Sequence, residues 1–190
     1  VGFPERVETD RLVLRRPREP DRDAWLEILG DPAVWRALQP GLEPDPRYAL
    51  ERFEHHREHW RRHGFGLWIV EDAATRAIAG YTGPAHPNFA PELAGEVEIG
   101  WTLRRPFWGR GLAGEAAAAA VDAAFAHLGV DRVIALVAAD NRRSLGVARR
   151  LGMRHERDVP HPSGQVLGVL ALSRDAGGAP AVARGAVQAH

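Results

Sequence analysis

The sequence predicts a mixed α/β domain, a central sheet of about six to seven strands flanked by helices, and three observations carry that prediction. Apolar runs of strand length alternate with stretches of helical periodicity and helix-start signals, the order expected of packed sheet and helix layers. The run from Glu96 to Gly152 condenses the alternation: a strand, a turn with Gly109, Gly111 and Gly114, a long alanine-rich helix, a second strand, and a helix opened by Asn141 and Ser144. With 190 residues, 45% of them hydrophobic, the chain can bury a real core and is long enough for one domain rather than two.

The elements follow in order. Leu12 to Arg16 reads as a first strand, and Pro20-Asp21 opens a helix through Trp25 and Leu29. Asp31-Pro32 opens a second, short helix with Asp as N-cap and Pro at the first position. Asp45-Pro46 repeats the signal before a longer helix ending near His63-Gly64. Phe65 to Val70 and Ala77 to Thr82 are rich in aromatic and β-branched residues, and with polar Glu71 to Arg76 between them they form a hairpin. Gly83 to Gly95 holds three prolines and reads as a loop, a candidate substrate-side flap. Met153 to Asp158 and Val166 to Leu172 complete the sheet. From Asp175 onward, DAGGAPAVARGAVQAH has small residues and no aromatic, so 175–190 is expected to be a disordered tail and 1–174 the single domain.

Composition excludes several functions. Lys plus Arg and Asp plus Glu number 25 each, so the net field gives no reason to expect a nucleic-acid partner. The chain has no cysteine, hence no disulfide, thiolate nucleophile or zinc-thiolate site. No apolar stretch is long enough to span a bilayer, and Val1 to Asp10 lacks the regions of a signal peptide, so a cytoplasmic protein without membrane contact is expected. His55, His59 and His63 share a helix face at metal-binding spacing, but no carboxylate-histidine signature accompanies them and Arg57, Arg61 and Arg62 crowd the helix; no metal is expected. Trp25, Trp35 and Trp60 sit at helical positions typical of core, with Trp35 also a candidate floor for a substrate pocket. His86 and His161, in loops near strand ends, are candidates to line an acceptor pocket.

A glycine turn at a helix N-terminus presents unpaired backbone N–H groups where the helix dipole is positive, a site suited to an anion and most often a phosphate. Gly109-x-Gly111-x-x-Gly114 spells the dinucleotide fingerprint, yet five residues separate Leu103 from the first glycine. The nearest acid after the second strand is Asp140, too far along for the one required about 20 positions later. A P-loop is excluded as well, because no Gly-Lys-Ser/Thr follows.

Trp108-Gly109-Arg110-Gly111-Leu112-Ala113, Asn141-x-x-Ser144, the closing Arg150-Leu151-Gly152-Met153 and the opening Glu8-Thr9-Asp10-Arg11-Leu12-x-Leu14-Arg15 are similar to one family. Together they resemble the GNAT superfamily of acyl-CoA-dependent N-acetyltransferases, in the branch named for the ribosomal-protein alanine and serine N-acetyltransferases. The resemblance runs from Glu8 to about Ser173. The family's pyrophosphate turn reads Gln/Arg-x-x-Gly-x-Gly/Ala, and Trp108 departs from it at the first position.

The resemblance implies a GNAT fold with acyl-CoA bound at the splay between the fourth and fifth strands. Trp101, Thr102 and Leu103 would offer backbone groups to the pantetheine amide as an added half-strand. Trp108, Gly109, Arg110, Gly111, Leu112, Ala113 and Gly114 would wrap the pyrophosphate, with Arg104 and Arg105 as further sources of charge. Asn141 would hydrogen-bond the pantetheine arm. Ser144 would give a proton to the departing CoA thiolate, since the tyrosine used by many relatives four positions later is Ala148 here; capping of the helix is its other reading, and Asn141's too.

On the strand from Glu96 to Leu103, Glu96, Glu98, Gly100 and Thr102 share the face opposite Val97, Ile99, Trp101 and Leu103. A carboxylate there lines a cleft or a solvated sheet face; in a cleft it can take the proton that an ammonium must lose before attack. Glu98 is the first candidate base and Glu96 the second. The expected activity is transfer of acetyl from acetyl-CoA to a primary amine, a protein N-terminus or a small molecule, by direct attack. Homodimerisation is left open. The alternative is a non-catalytic acyl-CoA-binding sensor, which would keep the glycine turn and lose Glu98 and Ser144.

Overall fold

The computed structural model describes residues 2–39 and 42–174; the expected disordered tail lies outside them. Among the described residues the strands are β1 (Arg6–Glu8), β2 (Leu12–Arg15), β3 (Trp68–Asp72), β4 (Ile78–Ala85), β5 (Glu98–Leu103), β6 (Arg132–Ala138), β7 (Arg154–Pro160) and β8 (Val166–Ser173). The helices are α1 (Arg22–Gly30), α2 (Pro32–Leu38), α3 (Pro46–His63), α4 (Leu112–His127) and α5 (Arg142–Arg150). One sheet runs in the order β1-β2-β3-β4-β5-β6-β8-β7. All neighbours are antiparallel except β5 and β6, which are parallel and share the single register pair Glu98↔Ile134.

Two details depart from the sequence reading. The sheet has eight strands rather than six or seven, because Arg6–Glu8 pairs with β2 although it is short and mostly polar. The expected fourth and fifth strands are therefore β5 and β6. Secondly, β4 continues through Gly83 and Pro84 to Ala85, where a loop was expected. Its pairing with β3 ends at Thr82, so Pro84 sits where one side of the strand is an edge and proline is tolerated.

The helix-start signals act as read. Asp31 Oδ1 accepts from Ala33 N–H at 2.8 Å and Asp45 Oδ1 from Arg47 N–H at 2.9 Å, each with proline at the first helical turn. Gly64 closes α3 at φ 72°, a left-handed cap. On one face of the sheet α4 and α5 cover Leu12, Trp68, Ile99 and Leu103, and the fully buried Ala116, Ala117, Ala120 and Ala124 let α4 lie close to the strands. On the other face α1, α2 and α3 bury Trp25, Trp35 and Phe53 against Ile69 and Tyr81, with the Trp25 and Tyr81 rings stacked at 4.2 Å. Trp25, Trp35 and Trp60 are all core residues, as the sequence predicts. With both faces covered, the place where β5 and β6 part opens into the molecule rather than onto a bare sheet.

Candidate active site

Beyond Glu98↔Ile134 the two parallel strands have no further register pairs, and two cavities meet in the gap. The larger, about 530 Å³, is lined by Leu103, Trp108, the three glycines and the first turns of α4 and α5. The smaller, about 220 Å³, is lined by Trp35, Arg52, His56, Tyr81, Glu98 and His161 among others. Trp101, Thr102, Asn141 and Ser144 line both. A molecule in one cavity therefore abuts a molecule in the other.

The larger cavity has the chemistry of an anion cradle. Gly109 and Gly111 adopt φ of 73° and 77°, a left-handed conformation that glycine enters without strain. A Cβ built at Gly109 or Gly114 would meet nothing within 4 Å, so the backbone there is open to a ligand. Gly111 caps α4 without a side chain, leaving the first N–H groups of the helix for an anion. The opening motif braces this turn, a role that sequence reasoning did not assign. Arg11 Nη1 donates to the Arg110 carbonyl at 2.9 Å, and Glu115 in the first turn of α4 accepts from Thr9 Oγ1 at 2.6 Å and from Arg11 Nε at 2.7 Å.

Trp108, where the sequence departs from the family turn, donates its indole N–H to the Leu103 carbonyl at 2.6 Å. That carbonyl is thereby engaged within the fold, leaving Trp101 and Thr102 as the freer part of the expected half-strand. The Arg143 guanidinium stands 4.6 Å over the Trp108 ring. Arg104 and Arg105 turn away to Glu27 at 2.9 Å and Asp31 at 2.6 Å, and Arg110 approaches Asp72 at 3.8 Å. The cations that line the cavity are instead Arg142, Arg143 and Arg150 of α5, which make no ion pair among the described residues. Their signal in the sequence is the i, i+7 spacing of Arg143 and Arg150 on the helix that opens beside the glycine turn. Leu112 and Ala113 also line the cavity, and Leu112 anchors α4 in the core. A pyrophosphate-bearing ligand such as acetyl-CoA fits this donor set of backbone N–H groups and guanidinium groups.

On the other side, Glu98 is half-buried and its carboxyl makes no hydrogen bond or ion pair among the described residues. Burial pushes its carboxyl up to about 7, against a smaller opposing pull from the Arg52 charge. Glu96 differs sharply: it lies before β5 and is held by Arg132 at 3.2 Å, which also binds Glu156 at 2.6 Å. Period-two alternation puts both acids on one face, but only Glu98 lines the cavity.

Ser144 stands in the first turn of α5, where its backbone N–H donates to Asn141 Oδ1 at 3.1 Å. Its hydroxyl has no partner among the described residues, and Ala148 one turn later is fully buried. Asn141 also donates from Nδ2 to the Ala37 carbonyl at 3.2 Å, tying α5 to α2 across the gap. The cap reading of Asn141 is thus realised, and a pantetheine contact would compete with its bond to α2.

His161 packs on Phe89 of the expected flap, with ring centres 4.7 Å apart, and both line the smaller cavity with His86 and Trp35. His55, His59 and His63 do not converge on a common point. His59 Nδ1 donates to the Phe65 carbonyl at 2.9 Å while its Nε2 accepts from the His86 N–H at 3.2 Å, which uses both nitrogens. Among the described residues no group of three His, Cys, Asp or Glu side chains is arranged to hold a metal, and no helix is long and apolar enough to cross a membrane.

Comparison with known families matches residues 11–154 to the acetyltransferase (GNAT) domain. YkkB of Bacillus subtilis strain 168, an uncharacterised protein, is 30% identical over 155 residues, which cover 81% of this chain and 88% of YkkB. An acetyltransferase from Agrobacterium tumefaciens C58 has a solved structure similar to this one at a TM-score of 0.77 and 29% identity, over 92% of this chain and 96% of that one. A ribosomal-protein-S5-alanine acetyltransferase from Vibrio fischeri shares the fold at a TM-score of 0.70 and 16% identity, over 90% and 97% of the two chains. The family match takes in every element from β2 to α5, and on it this chain belongs to the GNAT family of acetyltransferases, enzymes that take their acetyl group from acetyl-CoA.

Proposed function

We propose that this chain transfers acetyl from acetyl-CoA to a primary amine by direct attack of the amine on the thioester. One observation carries the reading: the glycine- and arginine-lined cavity meets, at the parting of β5 and β6, a second cavity that Glu98 and Ser144 both line. The α4 N-terminus, Arg143 and Arg150 hold the phosphates, and the Trp101 and Thr102 backbone aligns the pantetheine arm.

An alkyl amine reaches the site largely protonated at neutral pH. Glu98, with a carboxyl at about 7, accepts its proton directly or through water. As the C–N bond forms, backbone N–H groups of β5 stabilise the developing oxyanion. Ser144 then gives its hydroxyl proton to the sulfur as the C–S bond breaks, and the second proton shed by the newly bonded nitrogen returns to the Ser144 oxygen through water, so that the amide, free CoA and an intact hydroxyl result. With no cysteine in the chain, a cysteine acyl-enzyme has no candidate nucleophile.

The acceptor is a protein N-terminus or a small-molecule amine. The test is release of free CoA from acetyl-CoA against N-terminal peptides, amino acids, polyamines and aminoglycosides, with acetyl-CoA binding followed in parallel. Acceptor-dependent release is expected. Tight binding without release on any acceptor would favour the sensor.

A further inference from the structure

The smaller cavity carries a cation that has no salt-bridge partner among the described residues. Among its described lining residues Arg52 is the one guanidinium and Glu98 the one carboxyl. Arg52 is half-buried and its guanidinium has no hydrogen bond or ion pair among the described residues. Glu98 feels the Arg52 charge but forms no salt bridge with it. A guanidinium withdrawn from water without an anion is costly, and the cost is relieved when a ligand supplies one. Arg52 is also central, since its charge acts on Glu98, His55, His56, Tyr81 and His161.

A second observation points the same way. His56, one helical turn after Arg52 on α3, lines the cavity and is 3% exposed, yet neither ring nitrogen has a hydrogen-bond partner among the described residues. Burial, and then the Arg52 charge, hold the ring neutral, so it offers one N–H donor and one acceptor. A pocket built for a bare ammonium would gain nothing from an unpaired guanidinium, which repels that charge. An amine that brings its own anion satisfies Arg52 and Glu98 together.

We propose that the acceptor is a small primary amine bearing a carboxylate, of the amino-acid type, which docks its carboxylate on Arg52 beside His56 and presents its amine to Glu98. The inference rests on the N-acetyltransferase reading above and narrows its substrate class. Arginine suits the role because its planar fork binds a carboxylate through two parallel hydrogen bonds.

The test uses matched pairs, each of the common amino acids and its α-amide, in CoA-release kinetics with wild type, Arg52→Gln and Arg52→Lys. Wild type is expected to prefer the acids by about tenfold or more in kcat/KM, the scale of a charged hydrogen bond. Arg52→Gln should bring the ratio within about twofold, Arg52→Lys should retain part of it, and acetyl-CoA affinity should hold in both. Equal turnover of acids and amides, turnover of peptide N-termini alone, or a preference that survives Arg52→Gln would overturn the proposal. Calorimetric binding of N-acetyl amino acids and N-acetyl amino-acid amides, with CoA present, gives a readout free of turnover. Acid-selective binding that depends on Arg52 would uphold carboxylate recognition even if no acceptor released CoA, a result that counts against catalysis alone. Absence of acid-selective binding and release would overturn the inference and leave the transferase reading standing wherever other amines release CoA.

Discussion

Glu98 and Ile134 form the single register pair that joins β5 to β6. The last residue pair before the strands separate is thus also the one that sets a carboxyl at the edge of the gap. There it is far enough from solvent that burial raises its pKa from 4.5 to about 7. One backbone feature, the loss of pairing beyond this point, makes room for ligands and tunes the candidate base.

A pH dependence follows. Glu98 works as a base only when deprotonated, so kcat/KM should rise through about pH 7 and level off above it. Stability should move the other way. Between 4.5 and about 7 the folded protein holds a proton that the unfolded chain has released, so this group's contribution is fully present below 4.5 and declines as pH rises to about 7. Glu98→Gln should lower kcat by about 10²- to 10⁴-fold and abolish the rising limb. A pH–rate profile in which the limb survives that substitution would move the base elsewhere, with His56 and His161 the neighbouring groups to examine.

Ser144→Ala should lower kcat by about ten- to a hundredfold while acetyl-CoA affinity stays within about twofold. The separation is clean because the capping bond at this position comes from the Ser144 backbone N–H, which alanine keeps. Steady-state kinetics beside a binding titration will read it; an unchanged kcat would remove Ser144 from the proton path.

Arg143→Ala and Arg150→Ala should each weaken acetyl-CoA binding by about tenfold, and the losses should shrink as salt rises and screens the phosphates. Arg104→Ala is the control, because its guanidinium is bound to Glu27 on the far side of the turn. Calorimetry at two ionic strengths distinguishes the cases. Equal losses at all three positions would point to a diffuse field rather than to contacts from α5.

Local signals made much of this site legible. Asp31-Pro32 and Asp45-Pro46 carry their own caps, and the alternation in β5 places Glu98 on the covered face that the cavity opens from. What was hidden depends on partners distant in sequence. Glu96 and Glu98 are equivalent by periodicity, and what separates them is Arg132, 36 residues beyond Glu96, with Arg157 farther on. β1 has almost no strand signature of its own, yet the turn after it is fixed by Glu115 through contacts spanning more than a hundred residues. Sequence reasoning assigned the arginines of α5 no part in anion binding, and only the fold sets them beside the glycine turn. Trp108 looked like a departure from a motif; its indole bond to Leu103 gives it a structural role in that turn.

The brace from Thr9 and Arg11 to Glu115 yields the last prediction. Burial alone would raise the Glu115 carboxyl, but hydrogen bonds from Thr9 Oγ1, Arg11 N–H and the Arg11 guanidinium outweigh it and hold the group below its ordinary value of 4.5. A depressed folded-state pKa stabilises above the unfolded value and is lost as pH falls through the folded one, so this contribution is present at pH 7 and disappears in acid. Glu115→Gln should therefore cost about 1–2 kcal/mol at pH 7, the scale of charged hydrogen bonds at a partly exposed site. The gap between wild type and variant should narrow below pH 4.5 in denaturant titrations. Because Arg11 also holds the Arg110 carbonyl, the same substitution should loosen the glycine turn and weaken acetyl-CoA binding more than it lowers kcat. A variant that is destabilised but binds acetyl-CoA as wild type does would limit the brace to the fold and separate it from the anion cradle.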